Sequence, residues 1–188
     1  MTKKTTKELL SAKLTAILLC TTLLISCDGN APLMNSVLDG DSDAVLALLE
    51  QGTPVDEHNK YGWTALMHAA RLGNVELGEL LLANDADVNA QDETRWTALM
   101  RAVEKGHRPM VELLLNAGAD VNATNKDLWT ALQWATLKNE AEIVDVLLDA
   151  GADVAIKNSS GWTVWMIAVR ENNGAVIESL QKAGASKL

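Results

Sequence analysis

The 188-residue chain is predicted to fold as an all-α solenoid of stacked two-helix units. The pair Trp-Thr recurs at Trp63-Thr64, Trp96-Thr97, Trp129-Thr130 and Trp162-Thr163, always 33 residues apart, and self-similarity at such a fixed interval marks a stacked repeat. Each period contains two apolar stretches with helical spacing. Glycine or a turn-forming residue stands where each stretch ends.

The first unit opens at Pro32-Leu33-Met34 with no turn segment before it, and runs through Val45, Leu48 and Leu49 to Gly52. It is read as an N-terminal cap spanning 32–58. Within it, Asp39-Gly40-Asp41-Ser42-Asp43 imitates a calcium loop, but the sixth position, where such a loop needs glycine, is Ala44. Gly40 is instead expected to end one helix, with Ser42 and Asp43 opening the next, where acidic groups favour a helix N-terminus.

Three full units follow at 59–91, 92–124 and 125–157. In the second, Ala98, Leu99, Ala102 and Val103 lead to Gly106, then Met110, Val111, Leu113, Leu114 and Leu115 lead to Gly118. Isolated helices shorter than about 12 to 15 residues are marginal in water, so these must pair and the pairs must stack. Pro109 falls near the start of a second helix, where a missing N–H costs nothing. Gly118, Gly151 and Gly184 recur at the end of the second helix, with Asp85 in the same place one unit earlier. The segments Ala86-Asp87-Val88-Asn89-Ala90, Ala119-Asp120-Val121-Asn122-Ala123 and Ala152-Asp153-Val154-Ala155 are turns, because Asp and Asn side chains bond their own backbone.

The last unit, 158–188, is read as the other cap. It has Ser179 where inner units have Leu80, Leu113 and Val146, and Gln181 where they have Leu82, Leu115 and Leu148. Terminal repeats need a polar outer face because nothing covers them. Leu46 breaks the pattern, since Glu79, Glu112, Asp145 and Glu178 occupy its place in the other units.

With Thr-Ala-Leu after each inner tryptophan and Leu-Leu-x-x-Gly-Ala-Asp-Val-Asn-Ala downstream, the unit resembles the ankyrin repeat over 32–188. The resemblance implies turn, helix, turn and helix in every unit, and a concave face on which partners dock. Two departures stand out. The family's usual His after Thr-x-Leu is Met67, Met100, Gln133 or Met166 here, so the Thr–His hydrogen bond is expected to be absent, with stability leaning on packing. The glycine of the turn is Arg95 or Leu128 in two units, which leaves the turn conformation there open.

Residues 1–26 stand apart. Lys3, Lys4, Lys7 and Lys13 precede an apolar run from Leu14 to Ile25, too short for the roughly 20 residues that span a bilayer. The run ends Leu24-Ile25-Ser26-Cys27, which resembles the bacterial lipoprotein processing site and implies a signal peptide removed before a lipidated Cys27. A plain signal peptide cut elsewhere, or an uncleaved anchor, is the alternative. Asp28 in that position resembles the enterobacterial signal for retention at the inner membrane, and residues 27–31 form the tether. The expected location is the periplasmic side of a bacterial envelope membrane. The two cysteines, Cys20 and Cys27, would leave no thiol for a disulfide.

Without residues 1–26 the chain has 12 basic against 24 acidic residues. Nucleic-acid binding requires a basic surface to neutralise phosphates, so it is excluded, and basic partners are favoured. The three histidines, His58, His68 and His107, stand in separate units with no metal-ligand spacing, and no phosphate loop or nucleophile motif is present. No metal, no cofactor and no catalytic residue is expected.

The candidate partner-binding residues are Tyr61, Trp63, Arg95, Trp96, Leu128, Trp129 and Trp162. Aromatic residues and Arg are the usual anchors of interfaces, and stacked helices would set the tryptophans about 8 to 10 Å apart as a ladder. The alternative is that each Trp packs between adjacent turns. Trp134 and Trp165, inside first helices, are expected in the core. The function expected is that of a monomeric, membrane-anchored module that binds another protein, as an immunity protein against an envelope-acting toxin or, alternatively, as an accessory of a periplasmic enzyme such as a peroxide-stress oxidoreductase. An envelope enzyme is the least favoured reading.

Overall fold

A computed structural model of the chain describes residues 29–185. The leader 1–26, Cys27 and Asp28 lie outside the described residues. Among the described residues ten helices follow one another in five pairs: α1 Pro32–Asp39 with α2 Ser42–Glu50, α3 Ala65–Leu72 with α4 Val75–Ala83, α5 Ala98–Glu104 with α6 Arg108–Asn116, α7 Ala131–Leu137 with α8 Ala141–Asp149, and α9 Val164–Arg170 with α10 Gly174–Lys182. First helices pack on first helices and second on second along the chain. The described residues form an all-α repeat solenoid with one continuous apolar core.

Helix boundaries follow from side chains that bond the backbone. Thr64, Thr97, Thr130 and Thr163 each cap a first helix, their hydroxyls accepting from the amides of Met67, Met100, Gln133 and Met166. Asp41 caps α2 by accepting from the Ala44 amide at 2.9 Å, and Gly40 ends α1 at φ 72°, so the Asp-rich segment is a helix junction. Pro109 lies in the first turn of α6, at a cost the helix does not feel.

Core residues sit where the repeat places them. Leu66, Leu99 and Leu132 on first helices are buried with Leu81, Leu114 and Leu147 on second helices. Gly73, at φ 71°, ends α3, and a Cβ there would stand 2.6 Å from the ring of His107. Glycine thus serves twice, for the left-handed turn and for the imidazole that lies against it. His107 in turn reaches the carbonyl oxygen of Arg71 through Nε2 at 3.1 Å and ties adjacent units together, a structural role.

On the opposite rim of the stack a polar chain runs from unit to unit. Asp56 accepts from the Asp87 amide, Asn89 from the Asp120 amide and Asn122 from the Asp153 amide, at 3.0, 2.7 and 2.8 Å. The Asp-x-Asn segments are therefore turns that also bond to their neighbours.

Three expectations need correction. The hydrogen bond thought missing is replaced in one unit: Gln133 Oε1 accepts from the Thr130 amide, and its Nε2 donates to the carbonyls of Ile156 and Trp162 at 2.9 and 3.1 Å. A side chain one methylene longer than Asn reaches its own cap and the following unit at once. Secondly, Ser179 is only 7 % exposed, because its register turns it toward α8, as Leu113 and Val146 are turned toward their preceding units. Gln181 is exposed as a cap residue should be, whereas the outer side of α9 carries Met166 and Val169, 41 % and 53 % exposed, so the cap is polar only in part among the described residues. Thirdly, Trp134 and Trp165 are half-buried at the core's margin, since an indole on these helices extends beyond the shared apolar interior. Nothing in the structure explains the exposed Leu46.

Candidate functional site

The loop before each first helix is a hairpin finger built around one Asn or Asp. Asn59, Asp92, Asn125 and Asn158 each accept through Oδ1 from the amide two residues on and from the amide of the following tryptophan, as in Asn59 with Tyr61 at 2.9 Å and Trp63 at 3.1 Å. The tryptophan carbonyl closes the finger by accepting from the backbone N–H of the same Asn or Asp. Fingers are joined in series: the amides of Glu93, Lys126 and Ser159 donate to the carbonyls of Tyr61, Thr94 and Asp127. This pattern holds the tips in one row along the stack.

At the tip the backbone is left-handed in every unit. Gly62 and Gly161 adopt φ 78° and 79°, and Arg95 and Leu128 take the same conformation at 63° and 58°. The turn is thus retained without glycine, at a steric cost of roughly 1 to 2 kcal/mol per residue. Tyr61 and Leu128 are 52 % and 43 % exposed, and Arg95 is also exposed.

Behind the tips the four tryptophans are half-buried, and they do not stack on one another. Five residues after each lies a first-helix residue, His68, Arg101, Trp134 or Ile167. The ring of His68 lies 4.9 Å from that of Trp63, centroid to centroid. The Arg101 guanidinium sits between two indoles, 4.1 Å from the Trp63 ring and 4.3 Å from Trp96. Trp134 lies 4.9 Å from Trp96 and 5.0 Å from Trp129. Two such contacts span one helix spacing of about 8 to 10 Å, so each gap admits one flat group. Arg170 lies over Trp162 at 4.8 Å. The result is an interleaved column of indoles, a cation and an imidazole, with cation–π attraction contributing about 0.5 to 2 kcal/mol per contact.

Asp92 is the one acid among the four finger residues, and it pairs with Arg101 through Oδ2. Thr94 donates to it from both amide and hydroxyl, at 2.7 Å each, and the Trp96 amide at 3.0 Å. Burial pushes the Asp92 carboxyl up, but the hydrogen bonds from Thr94, Trp96 and Arg101 outweigh it and hold the group below its ordinary value of 3.8. Because both charges are almost wholly buried, removal of Arg101 leaves Asp92 without its cation, and removal of Asp92 leaves Arg101 only the 3.9 Å pairing to Glu104.

The structure places Tyr61, Arg95 and Leu128 on the outer tips and Trp63, Trp96, Trp129 and Trp162 one layer below, in a single row. Sequence reasoning missed Asp92, Arg101 and the stacking role of Trp134. A constant offset of five from each tryptophan would have found the last two, and the lone acid in an Asn series the first. Among the described residues no group of His, Cys, Asp and Glu could hold a metal ion, and no helix is long and apolar enough to cross a membrane.

A stack of helix pairs with a row of hairpin fingers is the architecture of a repeat protein that presents an extended side to a partner. The chain matches the family described as ankyrin repeats (3 copies) over residues 3–92, 33–125 and 99–188, and belongs to it. Ankyrin repeats are protein-interaction modules, typically without enzymatic activity. It is similar to "Ankyrin repeat, SAM and basic leucine zipper domain-containing protein 1" of Oryctolagus cuniculus, 43 % identical over 53 residues that make 28 % of this chain and 11 % of the relative. The protein of the same name from Dasypus novemcinctus is 40 % identical over 62 residues, 33 % of this chain and 13 % of the relative. In Eulemur macaco macaco the figures are 51 % over 43 residues, 23 % and 9 %. The chain spans about a tenth of the length of these curated relatives.

The Asp92 pair generates a prediction with a definite sign. A carboxyl depressed by folding stabilises above its unfolded pKa and loses that contribution as pH falls through the folded value. Asp92→Asn, which keeps the finger as Asn59 and Asn125 do, should cost about 1 to 3 kcal/mol at pH 7 by leaving Arg101 with only the looser 3.9 Å pairing to Glu104. As pH falls from neutrality through and below the ordinary carboxylate range, the variant should lose less stability than the parent, as read by urea unfolding along that descent. Parallel stability curves for the two proteins would show that the pair contributes nothing.

Proposed function

We propose that the protein is a membrane-anchored binding module of the bacterial envelope whose finger row captures another protein, as an immunity protein caps an envelope-acting toxin. The observation that carries this reading is the pair Arg95 and Leu128. Each occupies a left-handed tip where Gly62 and Gly161 stand in other units, and each is exposed. Backbone strain retained at an exposed position, with no packing gained from it, is characteristic of sites kept for contact. Tyr61 adds an aromatic anchor, and the edges of Trp63, Trp96, Trp129 and Trp162 form the floor. Such residues anchor interfaces through a few deeply buried contacts.

Charge supports a basic partner. The chain carries a formal net charge of −9, more negative still without the leader. Oppositely charged partners are drawn in at rates that fall with added salt. A scaffold already ordered before binding loses little entropy on association. The anchor is Cys27, lipidated after removal of residues 1–26, on the periplasmic side of the inner membrane if Asp28 acts as a retention signal. The protein acts as a monomer without cofactor or catalysis.

Capture from envelope extracts, with the retained protein identified by mass spectrometry, tests the binding surface. The parent should retain a basic protein in a salt-sensitive manner, and Tyr61→Ser with Arg95→Gly and Leu128→Gly should lower retention at least about tenfold, the effect of 1.4 kcal/mol. The helical circular dichroism should not change. Equal retention by the triple variant, or retention of nothing by the parent, would refute the reading. For the anchor, Cys27→Ser should accumulate unprocessed and take up no radiolabelled palmitate, and unchanged acyl labelling would end that claim.

A further inference from the structure

The last unit turns outward the side chains that every earlier unit hides under its successor. Leu132, Gln133 and Thr136 on α7 are each at most 1 % exposed, and so are the residues 33, 66 and 99 places before each of them. In α9 the same register brings Trp165, Met166 and Val169. Trp165 is only half-buried, and the other two are 41 % and 53 % exposed. On the second helix Val45, Val111 and Val144 are fully buried, whereas their counterpart Ile177 is partly open. These apolar side chains are also larger than the stack itself uses: tryptophan replaces the leucine of all four earlier units, and Ile177 replaces Val144. A terminal repeat that only closes a solenoid needs a polar outer face, and an exposed apolar patch with an aromatic member marks a contact.

We propose that Trp165, Met166, Val169 and Ile177 seat an amphipathic helical segment of the partner protein, laid against α9 and α10 as a sixth unit would lie; this rests on the binding reading above. The face continues the series of interfaces between successive units, each of which receives helices, so its shape is already that of a helix seat. The series also states the occupant's chemistry. Ile143 with Leu147 and Val176 with Leu180, four residues apart on second helices, are buried, whereas the first unit, with no unit before it among the described residues, leaves the equivalent Ala44 and Leu48 half-buried. The side that meets a preceding unit thus carries branched apolar residues at i and i+4, the pattern by which a helix enters an apolar groove. A second copy of this chain fits less well. Joined head to tail it would offer Ser36 and Ala44 in place of the inner units' buried alanine and large apolar residue, and joined tail to tail it would set Trp165 and Met166 against themselves, a pairing no two units use. Charge agrees with an apolar contact. Arg170 pairs with Glu171 and Lys182 with Glu178 around the patch, and Arg170, Lys182 and Lys187 face two acids in 158–188, against three basic and six acidic residues in 125–157. The patch begins three residues after Trp162 of the last finger, so one partner can engage both surfaces.

The test places the photoreactive residue p-benzoyl-phenylalanine at position 169 of the full-length protein in envelope extracts, and reads the cross-linked peptide by mass spectrometry. The peptide should come from the protein that the parent retains, and should lie in a helical segment with branched apolar residues at i and i+4. Met166→Glu with Val169→Glu, at positions already open to water, should lower retention of that protein about tenfold, the weight of an interface anchor, without change in the helical circular dichroism. Trp165→Leu serves as a second variant: it restores the residue of the inner units, so the fold is kept, and it should lower retention about threefold or more by removing the aromatic anchor. No cross-link, a cross-link to a second copy or to lipid, a cross-linked segment without the apolar pattern, or retention unchanged in both variants would overturn the proposal. The finger reading fails separately. A helical cross-link from position 169 that persists with full retention in the triple tip variant would keep the end face and strike the fingers, whereas loss of retention in the triple variant with no cross-link from position 169 in the parent would do the reverse.

Discussion

Insertion of one flat side chain between Trp63 and Trp96, and of another between Trp96 and Trp129, is the constraint on which the finger side of the molecule depends. The helices are 7 to 9 residues long, well below the length at which a helix persists alone, so every unit draws its order from its neighbours. The apolar interior supplies most of that dependence, as in any solenoid. The column adds a directional component at the exposed margin, since a guanidinium or indole placed between two indoles fixes both the spacing and the rotation of adjacent fingers. Asp92 extends this from side chain to backbone. One carboxylate orders its own finger through three donors from Thr94 and Trp96, and holds the cation that joins its unit to the preceding one.

Two kinds of residue are therefore separated by depth along one row. The tryptophans are half-buried structural members whose edges remain accessible, and Tyr61, Arg95 and Leu128 project beyond them. The inner layer spends its chemistry on holding the fingers in line. Arg95 and Leu128 cost conformational strain and return no packing at their tips. That contrast is the physical basis for assigning contact to the outer residues and alignment to the inner ones.

Much of the architecture was legible in the sequence because it is written as repetition. The interval between Trp63, Trp96, Trp129 and Trp162 gave the units, and Gly118, Gly151 and Gly184 gave their ends, with Asp85 adopting the same left-handed conformation at φ 63°. What repetition conceals is any position whose residue type changes while its role persists. His68, Arg101 and Trp134 share no hydropathy and no charge, yet each lies against the tryptophan five residues before it. Likewise Gln133 looked like the loss of a hydrogen bond, and its reach to Ile156 and Trp162 depends on the placement of the next unit, which no local pattern encodes. Ser179 misled for the opposite reason. Its polarity suggested an outer surface, whereas its register faces it inward against α8.

A double-mutant cycle on Trp63 and Arg101, residues 38 apart in sequence and in different units, tests the column most directly. Urea unfolding of Trp63→Ala, Arg101→Ala and the double variant should reveal a coupling of about 1 to 2 kcal/mol, the strength of a desolvated cation–π contact. Additivity within about 0.3 to 0.5 kcal/mol would mean that the two residues are neighbours without holding the fingers together, and the account of the row as an interlocked structure would fail.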